Sequence, residues 1–160
     1  MKKIVLSLSL VLFLSGCIDA AYDSARWLKS NTTRQSVRHL AMAGDVGAAY
    51  ETGKLYCCGA RPKYNNVEAL YWFCKAAKGG QRDAMYKVAD IYEHANLDEG
   101  GIIPKDDILA YVFYKKAAEN DKRGAAKKRD ELGSKLSRLD LERAGILLDR
   151  WPNVSCEIKR

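Results

Sequence analysis

The stretch EALYWFCKAAKGGQRDAMYKVADIY, Glu68 to Tyr92, decides the fold. It reads as two short helices joined by a Gly-Gly turn. In the first, Ala69, Trp72, Phe73, Ala76 and Ala77 stand at i, i+3, i+4, i+7 and i+8, one apolar stripe. Gly79-Gly80 stops that helix, because glycine takes the left-handed cap conformation without strain. The second helix carries Ala84, Val88, Ile91 and Tyr92 at i, i+4, i+7 and i+8. Ala76, Ala77 and Ala84 flank the turn, where two backbones in close approach leave no room for larger side chains. Two helices of this size cannot bury their stripes on each other alone, so the stretch needs neighbours.

The chain supplies them by repetition. Forty-one residues on, LAYVFYKKAAENDKRGAAKKRDEL (Leu109 to Leu132) sets Ala110, Phe113, Tyr114, Ala117, Ala118 and Ala125 on the same register. Lys75 recurs there as Lys116, and Lys87 as Lys128. Thirty-six residues back, Ala48, Tyr50, Leu55 and Tyr56 match Ala84, Tyr86, Ile91 and Tyr92. Earlier still, Leu40, Ala41 and Gly44 stand where Ala76, Ala77 and Gly80 stand. Agreement at a shared offset over so many positions specifies an all-α fold, a short α-solenoid of antiparallel helix pairs, each an A helix followed by a B helix. After the third A helix, Ser137 is a good N-cap, and Leu141, Ala144, Leu148 and Trp151 line one face of a last helix stopped by Pro152. That helix is expected to cap the open hydrophobic end.

The unit resembles the Sel-one-like repeat family, relatives of the tetratricopeptide repeats. The residues that carry the likeness are Ala48, Gly53, Tyr56 and Gly59, then Ala69, Lys75, Ala76 and Ala77. The second copy keeps Ala84 and Tyr92, has Ala89 in place of the A-helix glycine, and ends Lys116-Ala117-Ala118. These are packing residues, so the resemblance implies an architecture and leaves the chemistry open.

At the N-terminus, Met1-Lys2-Lys3 and the apolar run Ile4 to Leu14 form an export signal too short to span a bilayer. It ends Leu14-Ser15-Gly16-Cys17, which resembles the lipobox of bacterial lipoproteins, in which the cysteine thiol is acylated and the signal is cut before it. The resemblance implies lipid attachment at Cys17, and several acyl chains on one residue anchor stably. Ile18 follows rather than Asp, which by the same likeness points to the outer membrane, facing the periplasm. The chain then divides into a lipoprotein signal peptide (1–16), a lipid-anchored tether with a short helix (17–33), the solenoid (34–151) and a C-terminal tail (152–160) that is expected to fray. The formal net charge of +7 falls to +5 (7 − 2) once Lys2 and Lys3 are removed. The charges are spread rather than blocked, with no aromatic interleaving at Arg123 to Arg129, which excludes a nucleic-acid groove.

Four cysteines remain beside Cys17, and an oxidising periplasm permits bridges. Cys74 lies on a B helix beside the A helix that ends at Cys57 and Cys58, so the expected disulfide is Cys58–Cys74, or Cys57–Cys74. A zinc site is the other reading, disfavoured without a CxxC or a nearby histidine. His39 and His94 stand on different helices without a nucleophile motif, and no phosphate loop, dinucleotide fingerprint or metalloprotease motif occurs. No catalytic residue, cofactor or metal is expected, and the chain reads as a membrane-anchored periplasmic adaptor whose partner is a periplasmic or outer-membrane protein. The alternatives are a β-lactamase-like hydrolase, as described for cysteine-rich relatives, and a cell-envelope or peptidoglycan-associated stability factor. Residues opposite the A-helix stripes are the partner-binding candidates: Tyr50 and Lys54 on the first, Tyr86, Lys87 and Asp90 on the second, Lys127 and Glu131 on the third. The two tyrosines are either docking anchors or seals between repeats, and composition favours neither.

Overall fold

Five of the helices begin where a polar side chain caps them. Asp45 Oδ1 accepts the Ala48 amide at 2.6 Å. Asn65 accepts the Glu68 amide at 3.0 Å, and Asp106 accepts that of Leu109 at 2.9 Å. Gln81 takes the Asp83 and Ala84 amides. Ser137 forms a full capping box with Asp140, as its position predicts. These caps start α2 (Val46–Cys57), α3 (Asn66–Lys78), α4 (Arg82–Glu93), α5 (Asp107–Glu119) and α7 (Arg138–Asp149). Between the last two lies α6 (Ala125–Gly133), and residues 34–42 form α1. This computed structural model describes residues 34–57, 65–95 and 103–156, among which there is no strand. The signal peptide, Cys17, the tether, Cys58 and residues 157–160 lie outside the described residues.

Val37–Arg160 forms one compact unit, an all-α solenoid in which α2 packs on α3, α3 on α4, α4 on α5 and α5 on α6. The stripes read from the sequence are its core. Ala69, Trp72, Phe73, Ala76, Ala77, Ala84, Val88, Ala110, Phe113, Tyr114 and Ala117 are all buried. The B-to-A turns take a left-handed residue at one register: Gly44 (φ 101°), Gly80 (φ 92°) and, in the third, Asp121 (φ 57°). Asp tolerates that region better than most side chains, which is why the third turn survives without glycine. Gly53 has a different reason. A Cβ there would come within 2.5 Å of the Phe73 ring, so its bareness lets α2 approach α3.

Three expectations are corrected. The closing helix α7 leans on α5 through Ala144, Leu147 and Trp151, not through Leu141, which is exposed. The Trp151 indole meets Phe113 edge-on at 5.3 Å and sets that rotation. The C-terminal segment is not frayed up to residue 156: Val154 and Cys156 are buried in the core. Finally, Cys74 bonds to Cys156, Cα to Cα 6.0 Å, and so to neither Cys57 nor Cys58. The segment after α7 runs back across the solenoid to α3, where Tyr92 on α4 also donates its hydroxyl to the Cys156 carbonyl at 3.0 Å. A bridge between residues 82 apart depends on that return path, and helix registry near Cys74 does not reveal it.

Candidate functional site

The residues proposed for partner binding all fall on α2, α4 and α6, the A helices. The structure places them in two states of engagement. Tyr50 and Tyr86, expected to point away from the stripes, are half-buried, and each packs on the B-helix aromatic of its own repeat. Tyr50 meets Phe73 at 5.8 Å, and Tyr86 meets Tyr114 edge-on at 5.1 Å. A ring long enough to reach over the helix shoulder buries apolar area that a wheel projection assigns to solvent. Of the charged candidates, Lys54, Lys87 and Asp90 are also half-buried, while Lys127 and Glu131 are exposed. Lys54 lies over the Tyr50 ring at 5.1 Å and pairs with Glu51 at 2.6 Å. Asp90 faces His94 at 3.4 Å, and Lys127, 81% exposed, pairs loosely with Glu131 at 3.7 Å. Exposed pairs of this kind hold together by less than about 1 kcal/mol and exchange readily for other partners.

Between α4 and α6 lies a second group that the sequence reading missed. Glu93 Oε2 accepts from the Tyr114 hydroxyl at 2.7 Å and from Lys128 Nζ at 3.0 Å. Burial alone would raise the Glu93 carboxyl, but the hydrogen bonds from Tyr114 and Lys128 outweigh it and hold it below the ordinary value. Burial first, then the bond to Glu93, pushes the Tyr114 hydroxyl far above its usual range, so it remains a donor at every physiological pH. Its own hydrogen bond to Glu93 holds the Lys128 ammonium above its usual value. At the other end of α4, Lys122 binds Asp83 and lies over the Tyr86 ring at 5.6 Å, and its hydrogen bond lowers the Asp83 carboxyl. The signal available in the sequence was the exchange of Phe73 for Tyr114 at one register, because a buried hydroxyl requires an acceptor.

These groups clamp helices together, and each carboxylate is matched by a lysine. Among the described residues no group of three or more His, Cys, Asp or Glu is arranged to hold a metal ion, and no helix is long and apolar enough to cross a membrane.

The repeat boundaries drawn by the turns and stripes coincide with a family model, the Sel1 repeat, which matches residues 46–81 and 82–122. The chain carries two Sel1 repeats. Among curated proteins it is similar to chitin synthase regulatory factor 4 of Schizosaccharomyces pombe, 34% identical over 96 residues, which is 60% of this chain and 14% of that protein. Among solved structures it is similar to a protective antigen of uropathogenic Escherichia coli displaying an SLR fold, with TM-score 0.65 and 23% identity over 76% of this chain and 25% of the antigen. A Sel1 repeat protein from Oxalobacter formigenes aligns at TM-score 0.49 and 21% identity, over 73% of this chain and 97% of that one. The chain therefore spans about a seventh of the curated relative and a quarter of the antigen, and what they share with it is the helical-repeat fold. Sel1 repeats of this kind are generally protein-interaction scaffolds.

Proposed function

We propose that the chain is a lipid-anchored lipoprotein of the outer membrane, facing the periplasm, and acts as a protein-interaction scaffold without chemistry of its own. The observation that carries the scaffold reading is the face formed by the A helices of the two Sel1 repeats and by α6 after them. There Lys54, Lys87, Asp90, Lys127 and Glu131 surround half-buried Tyr50 and Tyr86 on a rigid helical frame. Tyrosine edges set among exchangeable charges of both signs make a surface suited to a polar protein partner. The core beneath those tyrosines holds the frame in place, so the partner meets a preorganised face. The anchor reading is supported by Leu14-Ser15-Gly16-Cys17 after a basic start and an apolar run.

A photo-crosslinking residue placed in turn at Lys87, Lys127 and, on the B-helix side, Lys78 of the full chain in cells tests the face. Adducts of one mass from positions 87 and 127, absent from 78, are expected. Adducts from 78 alone would overturn the assignment. For the anchor, Cys17→Ser is expected to leave an unprocessed precursor that takes up no labelled palmitate, and unchanged labelling would end that part of the reading.

A further inference from the structure

On its outer face α7 leaves Leu139, Glu142, Arg143 and Ile146 exposed. A terminal helix of a solenoid ordinarily presents polar residues outward, because nothing stacks on it. Here Leu139 and Ile146 are 55% and 53% exposed, and they stand at i and i+7 on one stripe. Between them on that stripe lie Glu142 and Arg143, at i+3 and i+4. The other side of the helix, where Ala144 is buried and Leu147 packs on the core, is the one in contact with α5.

The order Leu139, Glu142, Arg143, Ile146 is self-complementary. When two copies of α7 cross antiparallel about a two-fold axis between positions 142 and 143, Leu139 of each meets Ile146 of the other. In the same arrangement Glu142 of each meets Arg143 of the other, so opposite charges fall together twice. A parallel arrangement would set Glu142 on Glu142 and Arg143 on Arg143, which like-charge repulsion disfavours. Within one chain these charges make only loose exposed pairs, Arg138–Glu142 at 3.6 Å and Arg143–Asp140 at 3.5 Å, which are readily exchanged. We infer that the occupant of this face is a second copy of the chain, joined through antiparallel α7 helices by the Leu139–Ile146 and Glu142–Arg143 contacts. Two helices of 12 residues make an interface at the small end of specific contacts, below about 1,200 Å². The dimer is accordingly weak and reversible.

The test uses two differently tagged copies of the full chain, co-expressed, solubilised from membranes in mild detergent and captured through one tag. Glu142→Arg sets arginine against Arg143 of the other copy, and Arg143→Glu sets glutamate against Glu142. Each clash occurs twice by symmetry. Capture between two copies of the same single variant is expected to fall about tenfold or more below that between wild-type copies. Mixing the two variants sets the adjacent arginine pair of the E142R copy against the adjacent glutamate pair of the R143E copy. Capture is then expected to return to the wild-type level. Both side chains are exposed, so folding is unaffected, and recovery in the mixed pair excludes misfolding as the cause. Equal capture for all pairings, no capture between wild-type copies, or a mixed pair that stays dissociated would each overturn the inference.

Discussion

In the first repeat the central B-helix ring is Phe73, pressed onto the bare backbone of Gly53 and flanked by Tyr50. In the second, at the same registers, stand Tyr114, Ala89 and Tyr86. The contact between A-helix tyrosine and B-helix ring persists, yet its surroundings differ in kind. Phe73 needs no polar partner, and Cys57 occupies the position equivalent to Glu93. Tyr114 brings a hydroxyl into the core, and Glu93 with Lys128 answers it from α4 and α6. The join between α4 and α6 therefore carries two lysine–carboxylate clamps, Lys122–Asp83 and Lys128–Glu93. In the join one repeat earlier, Gln81 and Gly47 stand at the registers of Lys122 and Asp83, and Lys87 and Cys57 at those of Lys128 and Glu93. The set of exchanges at the registers of Asp83, Glu93, Tyr114 and Lys122 thus changes how a repeat is tied to the next. It also leaves Lys87 without the carboxylate that its counterpart meets.

The first repeat has its own tie, the Cys74–Cys156 bridge, for which the second has Lys115 at the matching register. Replacing both cysteines by alanine is expected to have the largest effect, about 2–5 kcal/mol by denaturant unfolding. A loss under about 1 kcal/mol would mean that the return segment is held by Val154 and Tyr92 without covalent help. Next comes Gly53→Ala, expected to cost about 1–3 kcal/mol by overpacking Phe73, although alanine is the better helix former. Stabilisation instead would show that α2 shifts freely and that the close approach is not required. The reverse change in the second repeat, Ala89→Gly, should cost only roughly 1 kcal/mol from helix propensity.

Tyr114→Phe turns the second repeat into the likeness of the first. It removes one buried hydrogen bond and is expected to cost about 1 kcal/mol, with a pH signature to match. Asp83 and Glu93 both titrate below the ordinary carboxylate value in the fold. Their contribution is therefore complete above the unfolded value of about 4, and it drains away as pH falls through the lowered folded values. Melting temperature should drop on acidification below about pH 4.5, and less steeply in Asp83→Asn with Glu93→Gln. An unchanged slope would mean that the clamps do not couple to folding. The smallest effect on stability is expected for Lys87→Glu, within about 0.5 kcal/mol. If it also left partner adducts untouched, Lys87 would drop out of the binding face.

What the sequence settled by itself was everything with a short period. The stripes, the cap at Ser137, the turns at Gly44 and Gly80, and the two Sel1 repeats were legible because each depends on residues within a helix turn or at a constant offset. Of the candidate face, the sequence placed its residues on the A helices, while it did not show that Tyr50 and Tyr86 pack on Phe73 and Tyr114. Only the tertiary structure decided the partner of Cys74, the rotation of α7 and the Tyr114–Glu93–Lys128 group. Each of these joins segments far apart along the chain. Their meeting depends on how whole helices stack and where the segment after α7 returns, and no local pattern of residues encodes that path.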